Sequence, residues 1–196
     1  MSDHHDDDGD PPPVIYSVGH SVRSIEEFIE LLKHYGVEIL VDVRHYPRSR
    51  RNPQFNKEAL PSELEPFSIR YVHLEGLGGL RKPTKDSINS ALRSASFRGY
   101  ADYMQSDEFK KSLEDLLSLA KRSGVAIMCA EAVPWRCHRF LLSDALVARG
   151  FDVEHIISQK SVRKHKLSSL AKVENSKVTY PSPKQTTTLL QGNFTT

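Results

Sequence analysis

The sequence predicts a single α/β domain of three layers, a mostly parallel sheet flanked by helices on both faces. Three observations carry this. Short apolar runs alternate with amphipathic stretches of helical spacing, the order expected of βαβ units. The run "EILVDVR" (38–44) is apolar almost up to its charged end, as strands buried on both faces are. A chain of 196 residues is long enough for one well-buried domain and too short for two ordinary ones.

Residues 1–13, "MSDHHDDDGDPPP", read as a disordered acidic tail ending in a stiff proline triplet. They have no basic n-region and no apolar h-region, so a secretory signal is not expected. The domain is expected over 14–181, with 182–196 as a flexible C-terminal tail. "VIYSV" (14–18) is a first strand. A helix follows, with Ser24 as N-cap, Glu27 completing a capping box, Ile25, Phe28, Leu31 and Leu32 on one face, and Gly36 just past the end. "EILVDVR" is the second strand. Between 45 and 67, Pro47, Pro53, Pro61 and Pro66 allow only a short helix. "IRYVHL" (69–74) is a third strand. Residues 75–105 read as a long polar segment of the kind that often serves as a functional loop or lid. "SDEFKKSLEDLLSLAKRSG" is a helix capped by Ser106 and stopped by Gly124. "VAIMCA" (125–130) is a fourth strand. Pro134 suits the first turn of a helix running through Leu146 and closed by Gly150. "DVEHII" (152–157) is a fifth strand, and "KVTYP" a short edge strand.

Composition removes several function classes. No run approaches the roughly 20 apolar residues of a membrane span. Two cysteines eight positions apart make no disulfide framework, and reduced thiols in a cytoplasmic setting are expected. The net charge of +2 does not by itself announce a nucleic-acid binder. Setting aside the five aspartates of the tail, however, leaves a basic domain, with a cluster in "RHYPRSRR" (44–51).

In open α/β sheets, ligands bind beyond the carboxyl ends of the strands. Those positions here hold His20, then Asp42 and Arg44, then His73 and Glu75, then Cys129 and Glu131. Each has a plain structural alternative. His20 can cap a turn, and Asp42 and Arg44, two apart on a strand, can be an internal ion pair. Cys129 suits the core, and Glu131 can satisfy a helix N-terminus. Their convergence on one rim is the functional signal.

"MCAEAVPWRCHRFLL" (128–142) holds both cysteines and the only tryptophan, with Arg136, Cys137, His138 and Arg139 at the expected helix start. Free N–H groups and two guanidiniums there suit an anion, and a thiolate at Cys137 would be stabilised. No metal and no cofactor is expected. Cys129, Cys137 and His138 lack paired short spacings, and a consecutive Cys and His on a helix point in different directions. A Cys followed six positions later by Arg is absent, as is G-x-G-x-x-G, although Gly76, Gly78 and Gly79 would let a backbone loop approach a phosphate.

The ordered segments "YSVGHS", "LVDVRHYPRSRRNPQF", "IRYVHLEGLGG", "FRGYADYM" and "CAEAVPWRCHR" resemble the domain-of-unknown-function family numbered 488, from about Ile15 to Pro181. The resemblance implies a compact α/β domain of bacteria and archaea and brings no settled activity. Carried over position by position, the family's motif residues are His20, Asp42, Arg44, Arg48, Arg50, Arg51, Asn52, Pro53, Gln54 and Phe55. They continue with Gly78, Gly79, Arg98, Gly99, Tyr100, Cys129, Glu131, Cys137, His138 and Arg139. The family has an uninterrupted helix where this chain reads "FNKEALPSELEPFSIR", and Pro61 and Pro66 are expected to break it.

The leading functional reading is a hydrolase acting on a phosphate-bearing substrate, a nucleotide or nucleic acid. Arg44, Arg48, Arg50, Arg51, Arg136 and Arg139 would hold phosphate, while Phe55, Tyr100 and Trp135 would stack on a base. Gln54, Gly78, Gly79 and Arg98 complete the expected binding set. Asp42 and Glu131 form the candidate acid/base pair. Cys137, assisted by His138 or His20, is the covalent variant. A non-catalytic nucleic-acid or nucleotide-binding module is the alternative, and a thiol redox or metal protein the third.

Overall fold

The computed structural model describes residues 13–182. The expected tails lie outside these residues, apart from Pro13 and Ser182. Thirteen elements follow in chain order. They are β1 (Val14–Gly19), α1 (Ile25–His34), β2 (Ile39–Asp42), α2 (Leu60–Leu64), β3 (Arg70–His73), α3 (Ala95–Tyr103) and α4 (Asp107–Ala120), then β4 (Val125–Cys129), α5 (Arg139–Val147), β5 (Asp152–Ser158), β6 (Ser161–Lys164), β7 (Lys172–Glu174) and β8 (Lys177–Thr179).

Six strands form one sheet in the order β3-β2-β4-β1-β5-β6. The first five are parallel, and β6 closes the edge antiparallel to β5. The chain leaves β1 through α1 to β2, continues through α2 to the outer strand β3, and returns through α3 and α4 to insert β4 between β2 and β1. Alternation along the strands divides the core. Val18, Leu40, Ala126 and Met128 face α1 and α2, packing with Phe28, Leu32, Leu60 and Leu64. Val41, Ile127, Cys129 and Val153 face the other layer, with Tyr100 of α3, Phe109 and Leu113 of α4, and Leu142 of α5. The period of two thus builds both hydrophobic layers from one sheet.

The expected caps form. The Ser24 side chain accepts from Glu27 N while the Glu27 carboxylate accepts from Ser24 N, and Gly36 sits at φ +63. Ser106 Oγ accepts from Phe109 N at the start of α4. Pro61 stands in the first turn of α2, and Pro66 opens a separate 3-10 turn at Glu65–Phe67, so the helix is interrupted as expected.

Three expected segments differ in the structure, and β6 and β7 stand where no strand was expected. Pro134 does not open α5; it starts its own 3-10 turn, Pro134–Arg136, after which Cys137 is extended (φ −132, ψ 149) and α5 begins at Arg139. "KVTYP" contributes β8 to a separate hairpin with β7, turning at Asn175 and Ser176, rather than an edge of the main sheet. The segment 75–105 contains α3. Its helical signal is weakened by Gly99, which is there because a Cβ would collide with the Arg81 carbonyl oxygen.

Candidate functional site

A cavity of about 310 Å³ opens at the carboxyl ends of β2 and β4. Arg44, His45 and Tyr46 follow β2 into it, and Cys129, Ala130 and Glu131 follow β4. The Gly79–Leu80 backbone, the first turns of α3 (Ser96, Phe97, Tyr100) and the segment Arg136–His138 complete the wall. This cavity lies on the rim at which the strand-end residues were expected to converge.

Asp42 does not share that cavity with Glu131. It is fully buried, and its carboxylate accepts from Arg44 N (3.0 Å), Arg44 Nε (2.9 Å), Arg44 Nη2 (2.6 Å) and the Tyr71 hydroxyl (2.7 Å). The Asp42–Glu131 acid/base pair is thus not assembled; Asp42 orients Arg44. Arg44 also donates to the Phe55 carbonyl (2.6 Å) and to His20 Nε2 (3.2 Å). Four of its five N–H groups are engaged, which leaves one for a ligand in the cavity.

His20 is buried, donates from Nδ1 to the Ser21 carbonyl, and stacks on Phe55 with ring centroids 4.2 Å apart. Burial, reinforced by Arg44, pulls its pKa down to about 4, so the ring is a neutral acceptor for Arg44 near pH 7. Phe55, expected to stack on a base, lies in the core between His20 and Phe28. The arginine loop does not reach the cavity. Arg48 pairs with Glu58 on the surface, Arg50 and Arg51 are exposed, Gln54 donates to the Arg23 carbonyl, and Arg98 donates to the Leu92 carbonyl. Tyr100 lines the cavity from a buried position, its hydroxyl donating to the Leu77 carbonyl (2.8 Å). Trp135 is half exposed, with the Arg163 guanidinium 5.8 Å over its ring.

The inner end of the cavity holds the two thiols. Cys137 Sγ lies 3.6 Å from His138 Nδ1, and His138 Nε2 lies 2.9 Å from the Val43 carbonyl oxygen. A carbonyl only accepts, so Nε2 carries the proton and Nδ1 presents its lone pair to the sulfur. Hydrogen bonding from the Cys129 thiol, with help from the Arg139 charge, holds Cys137 well below the ordinary thiol range, and the same bond and burial push Cys129 well above it. Gly79 lies against the His138 ring, where a Cβ would come within 2.8 Å of Nδ1, and Gly78 packs on His45. These glycines serve close packing around the site's histidines. Arg139 is buried, donates to Ser17 Oγ (3.2 Å) and to the Glu131 carbonyl, and orients the Glu131 backbone.

Sequence reasoning passed over His45, Tyr46, Leu80, Ser96 and Phe97. The first two continue directly from β2, so the strand-end rule extended by two residues would have included them; Ser96 and Phe97 sit on the unrecognised α3. It also missed a buried network behind α5. Asp144 accepts from Tyr180 OH (2.7 Å), pairs with His165 Nε2 (2.8 Å), and His165 Nδ1 meets His155 Nε2 (2.9 Å). No local motif announces it, because its members come from α5, β5 and the segments after β6 and β8.

A doubly wound α/β domain with a pocket at its strand-end rim is the class that fold and site define. The chain belongs to the family described as Domain of unknown function DUF488, whose model matches residues 24–146, more than half of the chain. Comparison with curated proteins and with solved structures finds no match. Among the described residues, no helix is long and apolar enough to cross a membrane.

Proposed function

We propose that the protein is an enzyme hydrolysing a phosphate-bearing substrate, a nucleotide or one unit of a nucleic acid, in the cavity at the ends of β2 and β4, and that it works in the cytoplasm. The observation that carries this is the meeting of two guanidiniums and one carboxylate in that cavity, where Arg44 and Arg136 supply positive charge beside Glu131. Arg44 is held by Asp42 and keeps one N–H for the anion, which makes it a pre-oriented phosphate ligand rather than a mobile surface charge. Phe97, Tyr100 and Leu80 give the cavity an apolar side for a base or sugar. Its volume stands at the small end of the roughly 300–1,000 Å³ usual for ligand sites, which fits one nucleotide unit better than a folded partner.

Glu131, exposed and within the cavity, is the general base in this reading; Asp42 is a positioning residue. Assay of nucleotides and short oligonucleotides with Glu131→Gln tests it. Turnover is expected to fall at least ~100-fold, the lower range for loss of a general base, with binding nearly unchanged. Full activity in that variant on any substrate found would refute the assignment. A second reading, binding of nucleic acid without catalysis, is favoured by the half-exposed Trp135 with the Arg163 guanidinium over its ring; it predicts association that weakens steeply with salt and yields no product.

A further inference from the structure

We propose that Cys129, Cys137 and His138 are three ligands of one thiophilic divalent cation of the zinc class, whose fourth position opens into the cavity. The two sulfurs and one ring nitrogen lie within 4.8 Å of one another. The 3.6 Å between Cys137 Sγ and His138 Nδ1 matches the separation of two ligands about 2.3 and 2.1 Å from a shared tetrahedral centre.

Spacing in the sequence argues against such a site, because neighbouring helical residues diverge. That objection assumes a helix through residues 137 and 138. Cys137 is instead extended and His138 is the N-cap residue of α5, so their side chains turn toward each other. Cys129 reaches the same point from the last position of β4.

The histidine is held as a ligand would be. Its Nε2 proton is committed to the Val43 carbonyl, the usual outer partner of a metal-binding imidazole, and Nδ1 is left with its lone pair toward the sulfurs. Gly79 allows the ring to sit there, since a side chain at that position would meet Nδ1. Both cysteines are free and buried, so neither is already spent in a disulfide.

Three protein ligands with an open fourth position make a catalytic rather than a closed structural arrangement. The catalytic consequence rests on the hydrolytic reading above. Water at the open position gives a proton to Glu131, its oxygen bonds to the electrophilic phosphorus or carbon of the substrate, and the departing oxygen takes that proton back. No oxidant or reductant is required.

Anaerobic titration of the reduced full chain with Co²⁺ tests the site, since tetrahedral thiolate cobalt has intense visible and near-ultraviolet bands that an octahedral aquo-ion lacks. One equivalent is expected to bind with those bands and to be displaced by Zn²⁺. Cys129→Ser and Cys137→Ser are each expected to weaken binding by more than about 100-fold, beyond the roughly 10–100-fold cost of losing an outer partner alone. Should either variant fail to fold by circular dichroism, the wild-type chain still decides: bound Zn²⁺ must protect both thiols from a thiol reagent at one metal per chain. An octahedral spectrum, bands unchanged in both serine variants, or thiols equally reactive with and without Zn²⁺ would overturn the site. Hydrolysis by chelator-treated protein with no cobalt spectrum overturns the metal and leaves the Glu131 reading standing. A cobalt site with no hydrolytic activity on any nucleotide does the reverse.

Discussion

Replacing Asp42 by Asn keeps the side-chain volume and removes one buried negative charge. The Asp42 carboxylate accepts four hydrogen bonds, three from Arg44 and one from Tyr71, at full burial. An amide can still accept from Arg44 N and Nε through its oxygen. Its NH₂ group, however, faces the Arg44 Nη2 donor and the Tyr71 hydroxyl, and the guanidinium of Arg44, a residue only 6% exposed, loses its counter-charge. Breaking a buried pair from one side costs about 3–5 kcal/mol, because the surviving charge stays desolvated. With a urea dependence of about 2 kcal/mol per molar, typical for a small domain, the unfolding midpoint should fall by roughly 2 M. Asp42→Asn combined with Arg44→Met should recover much of this loss, since the second change removes the stranded charge. Urea unfolding of the wild type, both single variants and the double variant closes the cycle. A loss below about 1 kcal/mol for Asp42→Asn, the level of an exposed pair, or a coupling near zero would refute the assignment of Asp42 as the group that holds Arg44.

Acid should destabilise the fold through His155. Burial, with His165 and Arg139 facing it, pulls its pKa down to about 3, whereas an unfolded histidine titrates near ~6.5. The unfolded chain therefore binds the extra proton between these values, and stability contributed by neutral His155 is lost as pH falls through that window, by about 1.4 kcal/mol per pH unit. His155→Gln should flatten the pH dependence of the unfolding free energy by about one proton; an unchanged slope would refute this. Gly99→Ala should destabilise by about 1–3 kcal/mol, although helix propensity alone favours alanine by ~1 kcal/mol, because the added methyl meets the Arg81 carbonyl. A raised thermal midpoint in that variant would show that the Arg81 backbone yields.

The strong helices and the five parallel strands were legible because their signals are local. Ser24 and Glu27 cap, Gly36 stops, and Ile39–Asp42 shows a run apolar on both faces. α3 was not legible, since its Gly99 answers to a distant backbone and reads locally as a breaker. A cavity lies at the ends of β2 and β4, where the strand-end rule gathers its candidate residues, yet that rule could not separate residues that line the cavity from those that hold the liners. Asp42 ends β2 and Arg44 lies two residues on, and only the arrival of the Tyr71 hydroxyl from β3 at Asp42, and of the Phe55 carbonyl at Arg44, shows that Asp42 faces inward to its supports. The arginines at 48, 50 and 51 looked equivalent to Arg44 in a basic cluster; the turn after β2 carries them to the surface.

The α/β class, the alternation of layers and the family could be read from the chain alone, because periodicity, caps and motif order are properties of neighbouring residues. The tertiary structure alone decided the partners. Cys129 and His138 are brought to Cys137 by the insertion of β4 between β1 and β2 and by one extended residue ahead of α5. Such convergence depends on strand order and on single backbone angles, and neither leaves a period in the chain.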